Sequence, residues 1–126
     1  MNAPTPTAVS IPQLADGEIY LGIVTNTAGE RHHVVLLPGD NDDASWQAQM
    51  DWAQSIGGEL PTRVEMLFLL ENHRDEFERD AYWTCQQDTD PGYSGWAWFQ
   101  GFGLGDQSST RQDDELRARA VRRLPI

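Results

Sequence analysis

The chain has 126 residues, 39% of them hydrophobic, and carries twenty acidic residues against nine basic ones for a formal net charge of −11 at pH 7. That length supports one domain with a core that needs no covalent staples, and five Trp, four Phe and three Tyr supply the bulk to fill it. The charge argues against nonspecific contact with nucleic acid or an anionic membrane, because like charges repel. The single Cys85 excludes an intrachain disulfide or a cysteine-built zinc site.

Residues 1–16 read as a Pro-rich N-terminal arm, with three prolines among small polar residues before Gln13, and residues 17–126 as the domain. Met1 to Ala15 holds no Arg and no long apolar run, so neither a signal peptide nor a membrane span is expected there. A cytoplasmic protein fits, and so does a virion component assembled in a bacterial cytoplasm. Gly17 to Val24 and His32 to Leu37 are strand-like, and Asn26-Thr27-Ala28-Gly29-Glu30 between them is a hairpin loop with a glycine for the left-handed position. Pro38-Gly39-Asp40 turns the chain toward a first helix over Ser45–Ile56, where Trp46, Met50 and Ala53 recur at helical spacing. The Asp40-Asn41-Asp42-Asp43 run offers it N-cap acceptors, and Gly57-Gly58 stops it. After Pro61, Thr62-Arg63-Val64-Glu65 is a capping box for a second helix with Met66, Leu67 and Leu70 inward. Asp75 to Asp80 is a charged turn anchored by Phe77.

Ala81 to Cys85 and Trp96 to Gln100 are short aromatic strands, with Trp83, Trp98 and Phe99 expected in the core. Gln86 to Gly95 and Gly101 to Asp114 read as loops. In the closing stretch Leu116, Ala118 and Ala120 alternate with Arg117 and Arg119, a strand with its small residues inward that breaks at Val121. A hairpin, two helices, then short strands with long loops give an α+β domain with a mainly antiparallel sheet around one interior.

No residue set forms a catalytic, cofactor or metal constellation. Asp40 to Asp43 begins like a calcium loop, but the sixth and twelfth positions hold Ser45 and Asp51 where Gly and Glu are needed. His32 and His33 point to opposite faces of a strand and do not share a metal. Cys85 has no neighbouring base and reads as a buried, inert thiol. Gly101, Gly103 and Gly105 lead into polar residues rather than a helix, so no phosphate loop is formed. The terminal arginines read as a salt-bridged strand face. The second-half loops are the candidate contact surface: Tyr93 and Trp96, flanked by Gly92, Ser94 and Gly95, with Asp88, Asp90, Gln107 and Arg111 around them.

Taken in order, Gly58-Glu59-Leu60-Pro61-Thr62-Arg63-Val64-Glu65, Tyr82-Trp83-Thr84, Ala97-Trp98-Phe99 and Arg119-Ala120-Val121-Arg122 resemble the C-type lectin-like fold over about residues 17 to 124. Within it they are similar to the bacterial and phage family named for the C-terminal domain of the Legionella collagen-like adhesin. That resemblance implies noncovalent binding of a protein or glycan through the second-half loops, without enzymatic activity, and a terminal strand beside the first. The cysteines of animal lectins and the calcium and sugar motifs Glu-Pro-Asn, Gln-Pro-Asp and Trp-Asn-Asp are missing, so calcium-dependent sugar binding is not implied. Two rivals stand beside it. One is an acidic phage inhibitor or host-takeover protein docking its Asp40–Asp43 or Asp75–Asp80 carboxylates on a basic surface of a nucleic-acid-handling complex. The other is a virion structural subunit that packs against copies of itself.

Overall fold

The computed structural model describes residues 10–126; the first nine residues of the expected arm lie outside them. The fold is α+β, with two helices and two mostly antiparallel sheets. β1 (Ile19–Thr25) and β2 (Arg31–Leu36) form the expected hairpin. Asn26 closes it: its side-chain oxygen accepts from the amides of Ala28 and Glu30 at 3.0 and 2.9 Å, and Gly29 takes a φ of 84°. The last strand, β8 (Val121–Pro125), pairs with β2 and so leaves β1 at the edge. The terminal strand is therefore beside the second strand, not the first.

The other sheet has the order β3 (Asn41–Ala44), β7 (Leu116–Ala118), β4 (Ala81–Gln87), β5 (Trp96–Gly101), β6 (Gln107–Arg111). All its pairings are antiparallel except the one bridge between β4 and β7. Two sequence expectations change here. Asp40–Asp43 does not cap the first helix, because Asn41–Ala44 is strand, and the cap of α1 (Trp46–Ser55) is Ser45, whose hydroxyl accepts from the Ala48 amide at 3.3 Å. The reason is Gln49, fully buried on α1. Its amide donates to the carbonyls of Asp42 and Leu116 and accepts from Asn41, fastening helix, β3 and β7 together. Gln107–Arg111 is not a loop either: it is an edge strand. Its polar composition hides it, because one face opens on a cleft and no apolar alternation is needed.

Between α1 and α2 (Arg63–Asn72) the chain passes Gly57, which stops the helix with a φ of 86°, and then Gly58. A Cβ on Gly58 would meet the Val121 carbonyl oxygen at 2.6 Å and Leu37 Cδ1 at 2.7 Å. This close approach lets Glu59 bridge to Val121 and ties the link between the helices to β8. The capping box at Thr62 is formed: its hydroxyl accepts from the Glu65 amide at 3.2 Å, and the Glu65 carboxylate from the Thr62 amide at 2.8 Å. The inward face of α2 differs from expectation. Met66 and Leu69 are buried, whereas Leu67 is 49% exposed and Leu70 only partly covered. Glu65, 2% exposed, turns inward to meet Arg123, and that rotates Leu67 out.

The interior is divided in two, one cluster on each side of β4. Tyr82, Trp83 and Thr84 are consecutive and all buried, so the strand is covered on both faces. On one side Tyr82 packs with Phe77, Phe102, Met66, Leu69 and the inner residues of β2. Phe77 stacks on Phe102 at 4.0 Å between centroids and meets Tyr82 edge-on, which makes it the anchor of its charged turn. On the other side Trp83 packs with Trp46, Ala53, Leu60 and the small residues Ala97, Ala118 and Ala120. The Trp46 and Trp83 indole N–H groups donate to the carbonyls of Thr84 and Ala44 at 2.9 and 3.0 Å.

The terminal arginines are a strand face tied by ion pairs: Arg117 to Asp40, Arg122 to Glu18, and Arg123 to Glu59 and Glu65. Arg122 also donates to the Gln13 carbonyl, which fixes the described end of the arm to β8. Arg119 departs from the expected alternation. It is buried at the junction of β7 and β8, donating to the carbonyls of Leu37 and Glu76 at 2.7 Å each.

Candidate functional site

Alternation along β5 puts Trp96, Trp98 and Gln100 on one face of the sheet, and their β6 partners across the ladder are Arg111, Ser109 and Gln107. The loop from Asp88 to Gly95 folds over the end of this face. It is a built loop: the Asp88 amide donates to the Trp96 carbonyl, the Tyr93 amide to the Asp90 carbonyl, and the Trp96 amide to the Tyr93 carbonyl. Gly92 and Gly95, with φ of 90° and 81°, supply the two left-handed positions that bring the chain back into β5. On the far side the Gln112 amide and side chain donate to the carbonyls of Gly95 and Trp96, pinning the loop to the end of β6.

Loop and strands enclose an open cleft of about 440 Å³, lined by Asp88, Asp90, Tyr93, Trp96, Trp98, Gln107, Ser108 and Ser109. Five of the six residues singled out from sequence meet there. The sixth, Arg111, lies across Trp96 in a neighbouring recess with Ser94, Gly95, Gln112 and Asp113. Tyr93 is 42% exposed and stands edge-on to Trp96, with ring centroids 5.1 Å apart and planes at 88°, so the two rings form a corner. Trp98 is the residue that the sequence reading misplaced. Instead of sitting in the core it shares the face of Trp96, as period-two alternation requires, and the Arg63 guanidinium lies 3.6 Å from its ring centroid. Phe99, expected beside it in the core, is partly buried against the Trp83 cluster. Ser108 and Ser109 were missed because their strand was missed.

The cleft's polar groups are unequal. Asp88 is 7% exposed; one of its oxygens accepts from the Asp90 amide at 3.0 Å and the other from the Ser109 hydroxyl at 2.6 Å. Gln107 spends both amide protons inside the fold, on the Arg63 carbonyl and the Gln100 side chain, and its oxygen accepts from Arg63 Nε. Asp90 is exposed, and its carboxylate accepts no hydrogen bond among the described residues. Nothing nearby resembles an activated nucleophile. Cys85 lies on β4, and burial holds its thiol above the ordinary pKa against the pull of the Arg123 charge. Among the described residues no group of three or more His, Cys, Asp or Glu is placed to hold a metal, and no helix is long and apolar enough to cross a membrane.

No protein-family profile matches the chain, and no curated protein matches it.

Proposed function

We propose that this chain is a non-enzymatic recognition domain of the C-type lectin-like class, phage- or prophage-encoded, that binds a protein or glycan in the cleft between the Asp88–Gly95 loop and β6. One observation carries the reading: an internally hydrogen-bonded loop holds an exposed Tyr–Trp corner over a sheet face that carries a further indole. Rigid aromatic rings give contact area at small entropic cost, and such residues concentrate binding energy. What supports the class is the order of hairpin, two capped helices and loop-rich second half; the place of β8 beside β2 rather than β1 departs from it. Of the acidic runs that the rival reading would dock, Asp40 and Glu76 are paired with Arg117 and Arg119, and the other carboxylates of both runs are exposed.

The test is selection of ligands for the labelled protein from a displayed peptide library and a glycan array, followed by rebinding to Tyr93→Ala and Trp96→Ala. Each substitution is expected to weaken the selected ligands by about tenfold or more, the loss of one aromatic hot spot. Ligands that bind both variants unchanged would refute the cleft.

A further inference from the structure

The fold contains two buried carboxylates among the described residues, Glu65 and Asp88. They are treated differently. Glu65 receives the Arg123 guanidinium in a two-point contact at 2.7 and 2.9 Å. Asp88 receives an amide and a hydroxyl, and no basic side chain lies within ion-pair distance of it or of Asp90 among the described residues. Neutral donors do not cancel a charge held away from water; a counter-ion does. Of the two basic groups nearest this face, Arg63 of α2 lies on the Trp98 ring and donates to Gln107, and Arg111 lines the neighbouring recess on the other side of Trp96.

The walls beside Asp88 suit a cation as well. Tyr93 and Trp96 meet at a right angle, and Trp98 continues the aromatic surface. Rings so placed attract an ammonium or guanidinium through their quadrupoles and cover the methylenes of its stem. Arg63 on Trp98 is an example of that packing already present on this face. The hydroxyl and amide donors of Ser109 and Gln107 are spent internally, so beside the Ser108 and Tyr93 hydroxyls the charged groups of the polar wall are the two carboxylates. A partner rich in donors and lacking acceptors fits, which describes the head groups of Lys and Arg. The net charge of −11 attracts such a partner from a distance.

Building on the recognition reading above, we infer that the cleft takes a basic side chain, Lys or Arg, presented by a protein partner, with the charge against Asp88 and Asp90 and the stem on Tyr93 and Trp96. The experiment is a titration of the ¹⁵N-labelled protein with N-acetyl-lysine amide and N-acetyl-arginine amide, read at the indole N–H signals of Trp96 and Trp98. Controls are the lysine amide acetylated on its ε-nitrogen, citrulline amide, and lactose as a neutral sugar. The two cations are expected to move both signals in a saturable, salt-sensitive manner, and their neutral counterparts to leave them still. Asp90→Asn keeps the loop's hydrogen bonds and is expected to weaken the cations; Asp88→Asn is expected to weaken them about tenfold or more, as loss of a charged contact does. Equal shifts from the neutral counterparts, silence from both cations, or indifference to both Asp variants would overturn the inference. Saturable shifts from lactose with silent cations would overturn it while leaving the cleft as the binding site. Array ligands that ignore Tyr93→Ala and Trp96→Ala would instead remove the cleft itself.

Discussion

Replacing Arg123 by Met tests the energetic centre of the fold. Arg123 holds both oxygens of Glu65, at 2.7 and 2.9 Å, reaches the Leu60 carbonyl at 3.1 Å, and pairs with Glu59. Glu65 is 2% exposed and also receives the Thr62 amide as half of the capping box. Methionine fills much of the arginine stem but leaves that carboxylate buried without its guanidinium, with only the His32 imidazole 3.6 Å away. Removing one partner of a buried pair costs about 3–5 kcal/mol, which for a urea slope of about 2 kcal/mol/M lowers the midpoint by roughly 1.5–2.5 M. Glu65→Gln keeps the acceptor for Thr62 and leaves Arg123 its partner Glu59, so it costs less, about 1–3 kcal/mol. The double variant is expected to fall short of the sum of the two, because the residues touch. The pair also sets an acid limit. Burial pushes the Glu65 carboxyl up, but the Arg123 hydrogen bonds and charge and the Thr62 amide outweigh it and hold the pKa below the ordinary 4.5. A depressed carboxyl stabilises the fold fully above that value and loses its contribution as pH falls through the folded pKa. The gap between the urea midpoints of wild type and Arg123→Met should therefore narrow as pH is lowered from 7. An Arg123→Met midpoint within about 0.3 M of wild type at pH 7, or strict additivity in the double variant, would refute the reasoning.

Other consequences can be checked by the same denaturation assay. Gly58→Ala places a methyl against the Val121 carbonyl and Leu37 and is expected to cost about 1–3 kcal/mol; a neutral outcome would mean the helix link is not held against β8. Leu69→Ala should cost about 2–5 kcal/mol and Leu67→Ala less than about 0.5, which reverses the order a sequence reader would assign. Burial and the hydrogen bond to Asp40 push the Tyr82 phenol up to about 12. A raised phenol favours the folded state fully below its ordinary value of 10.0 and that contribution fades as pH climbs through about 12, so Tyr82→Phe should flatten the alkaline decline in stability.

Local signals in the sequence match the structure where one residue type has one physical use. Asn26 and Gly29 in the hairpin, Gly57 at the helix end, the Thr62–Glu65 box and Phe77 in its charged turn each sit where their chemistry directs. Sequence and structure part where a polar residue is buried. Gln49 draws Asn41–Ala44 into the sheet, Glu65 rotates α2, and Arg119 fills the junction between sheets; sequence periodicity counts all three as solvent-facing. The cleft shows the same division. Glycines and aromatics marked its loop, but β6 carries no apolar alternation, so Ser108 and Ser109 had no signal. Trp98 did have one: it is two residues from Trp96 in a strand and must share its face.

The most direct measurement of the binding account is backbone hydrogen exchange on the complex with the tightest array-selected ligand. Slowed exchange confined to Asp88–Trp96 and Gln107–Arg111 is the predicted footprint. Protection over the exposed Val64, Leu67 and Phe68 on α2, with the aromatic cleft exchanging as it does in the free protein, would contradict it.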